Sequence, residues 1–243
     1  MSKFLIIIRS TMHFSHCSSV IDEISKNHKV KLVFMNDSEI NNCTYKVEKF
    51  GKIKKLIQKN KNSYETETLI SSGKNIEIID GVHREDKWNK PLKILRETLN
   101  NISFIMRNDK SVFYMNQKKY VPNIINFLNR LGFAKKIVNS KLIFSTLKRL
   151  HNLIPASSQI KQFIKKINPD LILVIGGNWS SSHNKFSSEI DYIKAANELK
   201  IKNAIQIISW DNLTARGLYH YEPDLMLVWN KNQFWYSNIW VDI

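Results

Sequence analysis

Short apolar runs that alternate with helical patterns most constrain how this chain can fold. The first is FLIII at residues 4–8, and the clearest is PDLILVIGG at residues 169–177. Continuous apolar runs are typical of strands buried on both faces of a parallel sheet. Similar runs occur as VKLVFM, NIEIID, NAIQIIS and PDLMLVWN. Because such runs alternate with helices, we predict an α/β fold with a doubly wound, mostly parallel, Rossmann-like sheet.

Helical spacing of apolar residues marks the connections between these runs. Residues 18–28 and 187–201 both show it, and serines at the start of each can cap the helix. Between the third and fourth strands the pattern is helical at residues 91–106, 120–129, 134–150 and 157–167. We interpret residues 88–167 as a helical insertion beside the sheet. Helices are also expected near residues 52–61 and in the closing segment 231–243.

The size and composition of the chain suit a globular protein with one large domain or two small ones. It has 243 residues, of which 43% are hydrophobic and 24% charged. This is enough for a substantial core, and we treat residues 1–243 as one domain. Two cysteines do not make a disulfide framework. No apolar run approaches the roughly 20 residues of a membrane span, so we predict a cytoplasmic protein.

The net charge of +16, from 37 lysines and arginines against 21 acids, raises the question of an anionic partner. Nucleic acid, anionic lipid or a phosphorylated sugar would suit it, whereas drift in composition would explain it without a partner. No nucleic-acid-binding motif accompanies the charge, which disfavours nucleic acid. We favour attraction to an anionic membrane surface, which would place the protein peripherally on the inner membrane face.

The loops that follow the predicted strands are the best candidates for a site, because open α/β sheets bind ligands beyond the carboxyl ends of their strands. In RSTMHFSHC, after the first strand, the candidates are Arg9, His13 and His16. A histidine at a helix N-terminus tends to stay neutral and can then accept a proton. A histidine that only packs in the turn is an equal alternative, and the spacing is poor for a metal site.

Two further loops supply weaker candidates. The pair Gly176 and Gly177 would let the backbone approach a ligand closely, although a sharp turn explains it as well. Neither a GxGxxG nor a GxxxxGK[ST] motif is present, which disfavours the usual dinucleotide and phosphate loops. Arg84, in DGVHREDKW, could hold a phosphate or a carboxylate, or could be a solvated loop charge.

The fifth predicted strand ends in the polar segment SWDN, residues 209–212. An Asx-type turn explains this segment without a function. No GxSxG motif is present, so a hydrolase elbow is disfavoured.

SWDNLTARGL followed by PDLMLVWN resembles a bacterial family of glycosyltransferase-like proteins with the signatures SWDNLT.KG and PD..LVWN. FLIIIRS, HFSHCSSVIDEI, REDKW, INPDLILV and EIDYIKAANELKI agree in the same order. The resemblance spans essentially the whole chain and is loose at residues 36–75. It implies the two-domain GT-B architecture, in which the N-terminal domain lines the acceptor side of a cleft and the C-terminal domain binds the donor nucleotide.

The chain departs from the family at three points. Ser10 stands where the family usually has histidine, and the loop after Ile175 is longer and richer in serine. The chain also ends near where a second domain would begin. We therefore expect an N-terminal GT-B domain whose donor-binding domain is absent or supplied by a second subunit.

A catalytic hypothesis follows from the resemblance. The chain would be the acceptor-side half of a glycosyltransferase in surface polysaccharide or glycoconjugate synthesis, with a nucleotide-sugar donor, a sugar or lipid-linked acceptor, and no cofactor or metal. His16 would be the base, and Asp211 would orient either His16 or the acceptor. The expected substrate-binding residues are Arg9, His13, Arg84, Gly176, Gly177, Ser209, Trp210 and Asn212.

The alternatives are a different GT-B activity and no activity. A 2-epimerase-like or glycerophosphotransferase-like protein would share the architecture. A truncated fragment or a binding subunit would dock through aromatic residues near the end of the chain, at Trp229, Phe234, Trp235 and Trp240. The same aromatics could instead be the core of a last helix.

Overall fold

The computed structural model describes residues 1–9, 11–35, 75–107, 123–176, 188–208 and 218–228. Within these ranges six strands form a single sheet. The strands are β1 Lys3–Ile8, β2 Lys29–Phe34, β3 Ile76–Asp80, β4 Leu171–Ile175, β5 Lys202–Gln206 and β6 Leu225–Leu227.

The sheet has the order β3-β2-β1-β4-β5-β6, and every neighbouring pair is parallel. The chain therefore builds outwards from β1 to β3, returns to the middle at β4, and builds outwards again to β6. The predicted α/β class and the parallel, Rossmann-like sheet are confirmed. The strand order reverses between β1 and β4, and this pair defines the switch point of the fold.

Seven α-helices and one 3₁₀ helix accompany the sheet in the described ranges. The 3₁₀ helix is Thr11–His16, and the α-helices are α1 Ser18–Asn27, α2 Asn89–Met106, α3 Asn123–Leu128, α4 Gly132–Val138, α5 Lys141–Leu153, α6 Ser158–Ile167 and α7 Glu189–Leu199.

Alternate residues of the strands point to opposite faces of the sheet, and both faces are covered. On one face, Leu5 and Ile7 of β1 belong to a buried cluster with residues of α6 and α7. On the other face, Ile6 and Ile8 cluster with Ile21 of α1. This two-residue period explains the continuous apolar runs, because a strand covered on both faces has no solvent-facing position.

A third apolar cluster lies between helices and stands apart from the sheet. Leu99 and Ile102 of α2 pack there with Phe144 of α5 and with Leu218. The second half of α2, residues 96–104, is buried at every position although it includes Arg96, Glu97, Asn100 and Asn101. A helix buried all round with this many polar groups depends on internal partners.

Several details differ from the sequence prediction. The single helix expected at residues 134–150 is two helices, because the Ser140 side chain accepts a hydrogen bond from the Ile143 amide at 3.3 Å and starts α5. The N-cap of α1 is Cys17, and both predicted serines lie inside the helix. The helices expected at residues 52–61 and 231–243 lie outside the described residues. Among the helices that are described, none combines the length and apolarity that crossing a bilayer needs.

Candidate functional site

The strand order reverses at β1 and β4, and sheets of this class bind ligands beyond the carboxyl ends of such a strand pair. Arg9 directly follows β1, and Gly176 directly follows β4. Ile8 and Ile175 are paired in register. The residues that follow them, Arg9 and Gly176, are therefore neighbours at the carboxyl ends of the strands. The sequence prediction that both belong to one edge is consistent with this placement.

The 3₁₀ helix after β1 is tied across this edge to β5. The Gln206 side chain, at the end of β5, donates a hydrogen bond of 3.2 Å to the backbone carbonyl of His16. Because β4 lies between β1 and β5, the segment ending at His16 reaches over the end of β4. The hydrogen bond therefore holds the backbone at His16 close to the carboxyl end of β5.

Gly176 turns the chain away from β4 with a positive φ of 91°, a conformation that glycine adopts at little cost. Its amide still donates to the carbonyl of Gln206 at 2.9 Å, which extends the pairing of β4 with β5 by one bond. The glycine therefore places a tight turn, without a side chain, at the end of the central strand.

The histidines of the first loop lie at the N-terminus of α1, as predicted. The side chain of His16 is exposed, and that of His13 is partly buried. Cys17 follows directly, and its thiol donates to the carbonyls of Phe14 at 3.3 Å and His13 at 3.6 Å. Burial raises the pKa of the Cys17 thiol to about 12, so it is neither a thiolate nucleophile nor a ready metal ligand.

Arg9 is 6% exposed at the end of β1. A buried guanidinium at the ligand edge is a strong electrostatic feature, because Arg remains charged at any physiological pH. Arg9 lies next to Gly176, so its positive charge is close to the carboxyl ends of β1 and β4.

Arg84 lies elsewhere, in a buried ion network. Its guanidinium donates to Asp86 at 2.9 Å, to the carbonyl of Pro155 at 2.8 Å and to Asp191 at 3.5 Å. Its backbone amide donates to the hydroxyl of Ser188 at 3.0 Å. None of these partners is another predicted site residue, and the contacts assign Arg84 a role in joining the loop after β3 to α6 and α7.

Asp191 is the centre of this network. It is fully buried in the first turn of α7 and accepts hydrogen bonds from Arg96 at 2.8 and 3.4 Å as well as from Arg84. Arg96 also donates to the hydroxyl of Tyr221 at 3.3 Å. The network thus joins the loop after β3, α2, α7 and the segment before β6. Buried ion networks of this kind fix the positions of helices and loops relative to each other. They add little stability compared with apolar residues packed in the same space.

His151 completes the network as a neutral base. Arg96 Nε lies 3.2 Å from His151 Nε2, so that nitrogen accepts the hydrogen bond, and Nδ1 then donates to Asn152 Oδ1 at 3.3 Å. Burial, and next the positive charge of Arg96, lower the pKa of His151 to about 3. Burial, with His151 and Arg96 nearby, likewise lowers the pKa of His220 well below its usual value.

Five predicted site residues, Gly177, Ser209, Trp210, Asp211 and Asn212, lie outside the described residues, and so do the four closing aromatics. Among the residues that are described, no cluster of three or more histidine, cysteine or acidic side chains could hold a metal ion.

Sequence reasoning missed Gln206, Arg96 and Asp191. Gln206 had a signal, since it is a single polar residue within the apolar run AIQII. Arg96 and Asp191 had none, because residues far apart in sequence come together only in the fold. Tyr192, next to Asp191, is a similar case: its hydroxyl both accepts from the Val82 amide at 2.9 Å and donates to the Val82 carbonyl at 3.0 Å.

Comparison of the chain with protein-family models, with curated proteins and with solved structures finds no match. The resemblance drawn from the SWDNLTARGL and PDLMLVWN segments therefore stays a prediction.

Proposed function

We propose that this chain provides the acceptor side of a glycosyl-transfer cleft, with a hydroxyl-bearing acceptor bound at the carboxyl ends of β1 and β4. The observation that carries the proposal is the placement of His16. The residue is exposed, and its backbone carbonyl accepts a hydrogen bond of 3.2 Å from Gln206 at the end of β5. A general base needs both an accessible ring and a fixed backbone.

In the proposed reaction, one proton is transferred and one bond at the anomeric carbon is exchanged for another. His16 takes the proton of the acceptor hydroxyl while that oxygen forms a bond to the anomeric carbon of the donor sugar. The bond from the anomeric carbon to the phosphate oxygen breaks, and the nucleoside diphosphate leaves with its electron pair. A neutral sugar hydroxyl is a poor nucleophile near neutral pH, so a positioned base contributes about 10²–10⁴-fold to the rate.

Arg9 gives the crevice a preference for anionic groups. Its charge lies beside the end of β4, and a phosphate or carboxylate on the acceptor or donor would be attracted to it. In this proposal Arg9 and Gly176 bind substrate, while His16 acts as the base. The same proposal includes the GT-B architecture, the interpretation of residues 88–167 as an insertion, and the cytoplasmic location.

A dinucleotide site is the competing function, because the strand order of this sheet is also that of dinucleotide-binding domains. Such domains need glycines after β1 so that the pyrophosphate can approach the backbone. Here the segment RSTMHFSHC contains no glycine and forms a 3₁₀ helix that packs Phe14 into the core. This segment favours an acceptor over a pyrophosphate.

A binding experiment tests the placement of the site. The ¹H–¹⁵N NMR spectrum of the full chain would be followed during titration with mono- and disaccharides and, separately, with UDP-sugars. We expect saccharides to shift the signals of Gly176 and His16. Shifts of these signals with UDP-sugars and none with saccharides would overturn the acceptor assignment and favour a nucleotide site.

A transfer assay tests the base. The chain would be combined with a donor-binding domain and candidate UDP-sugars, and product would be measured by mass spectrometry. His16→Ala should lower transfer at least a hundredfold while acceptor shifts persist at Gly176. His28→Ala is the matched control, because His28 lies at the opposite edge of the sheet, just before β2. Unchanged transfer by His16→Ala would reject the role of this residue as the base. Acceptor binding without transfer, whichever donor-binding domain and UDP-sugar are supplied, would favour a protein that only binds.

A further inference from the structure

The outer face of α5 is apolar, although it faces solvent. Leu142 and Leu153 are 76% and 78% exposed, and Leu150 is 50% exposed. The opposite face carries the buried residues Phe144 and His151. A surface helix normally confines its apolar residues to the buried side, so α5 has a second apolar face.

Helical geometry gathers these leucines into one stripe. Residues 142, 146, 149, 150 and 153 fall on the same side of a helix with 3.6 residues per turn. Thr146 and Arg149 are the remaining members of this stripe, and both are exposed. The stripe runs along a helix of 13 residues, about 20 Å long.

The two preceding helices add to this surface. Phe127 of α3 is 56% exposed, and Ile137 of α4 is 57% exposed. Helix α3 contacts α4, and α4 contacts α5, so Phe127 and Ile137 lie on helices that adjoin α5 in turn. We call the exposed faces of α3, α4 and α5 the outer helical surface.

The charge of this region is of one sign. Between Asp109 and Asp170 the sequence has twelve lysines and arginines and not one aspartate or glutamate. Lys141, Lys148 and Arg149 of α5 belong to this set, as does Lys136 of α4. All 21 acids of the chain lie outside this segment, so the helices of the outer helical surface carry exposed leucines and positive charges but no acidic residue of their own.

We propose that the outer helical surface docks on an anionic lipid bilayer. The leucines of α5 would enter the boundary between headgroups and acyl chains, while the flanking lysines and arginines contact lipid phosphates. Long cationic side chains suit this boundary, because their methylene stems cover apolar surface while their charges remain in water.

Other polyanions fit less well. Nucleic acid would attract the charge, but its backbone offers no hydrocarbon to cover Leu142 and Leu153. The core of a protein interface is depleted in lysine and enriched in aromatic residues, whereas this surface is rich in lysine and leucine. The proposal rests on α3, α4 and α5 alone, so it is independent of the site at the sheet edge.

Vesicle co-sedimentation tests this docking. The full chain would be mixed with vesicles of phosphatidylcholine, with or without phosphatidylglycerol, and the bound fraction measured at low and high salt. We expect binding to the anionic vesicles only, weakened at least tenfold by Leu142→Ser with Leu153→Ser, and weakened by salt. Arg149→Glu should weaken binding to anionic vesicles and leave the fold intact.

Ile94→Ser is the matched control, since Ile94 is a 54% exposed apolar residue on α2, outside the outer helical surface. It should bind as the wild type does, and thermal unfolding should show all variants folded. Equal binding to neutral and anionic vesicles, or wild-type binding by the leucine variant, would overturn the proposal. So would a wild-type dimer in sedimentation that the leucine variant dissociates, because the surface would then be a protein interface.

Discussion

The carboxylate of Asp191 accepts a hydrogen bond of 2.8 Å from Nη2 of Arg96, and both side chains are buried. The two residues are 95 positions apart in the sequence. The same carboxylate oxygen faces Arg84 at 3.5 Å, so one negative charge serves two cations. A buried charge without its partner is far more costly than the pair, and this asymmetry makes Asp191 the most sensitive polar position of the described fold.

Replacing Asp191 should therefore destabilise the protein severely. Asp191→Asn keeps the size of the side chain but removes the carboxylate charge that faces Arg96, while Arg84 keeps its ion pair with Asp86. We expect a loss of about 3–5 kcal/mol in the free energy of unfolding, measured in urea. Glu77→Gln is the control, because it removes a partner of Lys31 from an exposed pair and should cost less than about 1 kcal/mol. Similar costs for both variants would contradict the importance of the buried network.

The stability of the protein should fall below about pH 6.5, the usual pKa of histidine. In the folded protein the pKa of His151 is lowered to about 3 by burial and by Arg96. Between these two values the unfolded chain binds more protons than the folded one, so the free energy of unfolding decreases as the pH falls. The stabilising contribution is fully present above the unfolded pKa and disappears as the pH approaches the folded value.

His151→Gln measures this contribution. Glutamine can still accept from Arg96 through its amide oxygen but does not titrate. Urea unfolding at a series of pH values should show a slope smaller than that of the wild type by about 1.4 kcal/mol per pH unit between about pH 6 and pH 4. Identical slopes would show that His151 is protonated at similar pH in both states.

Gly81 is expected to tolerate no side chain. A Cβ atom added there would lie 2.5 Å from Cγ1 of Val33, in β2, and 2.8 Å from Sδ of Met35, just after β2. Both residues belong to the buried core. Gly81→Ala should cost about 1–3 kcal/mol in thermal or urea unfolding, because the core has to shift. Gly132→Ala is a matched control, since nothing lies within 4 Å of the added atom and alanine favours helix; it should be neutral or stabilising by about 0.4–1 kcal/mol.

Cys17 should resist alkylation in the folded protein. Its thiol is fully buried, and a pKa of about 12 lowers its thiolate fraction about a thousandfold relative to an ordinary thiol. Iodoacetamide labelling, followed by mass spectrometry of the peptide that contains Cys17, should be at least a hundredfold slower in buffer than in urea. Comparable rates in the two solvents would mean that the N-terminus of α1 opens readily.

The sheet was predictable because its signal is local. Runs such as LILVI leave no polar position for a solvent face, and all six runs became parallel strands with ends shifted by at most a few residues. The fourth strand, Leu171–Ile175, coincides with the run LILVI; Asn168 ends α6 before it with a φ of 50°, and Gly176 turns the chain after it. The placement of Arg9 and Gly176 at the carboxyl ends of neighbouring strands followed from topology alone.

The polar interior was not predictable, since its partners meet only after folding. Asp191 looks like a solvent-facing residue of an amphipathic helix, yet α7 is buried on almost every side in its first two turns. The sequence predicted a stripe of Ile190, Ile193, Ala196 and Leu199 and could not show that other elements cover the opposite face.

Ser188 shows how closely the two halves of the chain depend on each other. It stands at the N-cap of α7, where a serine hydroxyl usually accepts from an amide of its own helix. Here the hydroxyl accepts from the amide of Arg84 instead, and Tyr192 holds both backbone groups of Val82. The start of α7 and the loop after β3 should therefore open together, as one cooperative unit in hydrogen exchange, with the amides of Val82 and Arg84 protected to the same extent.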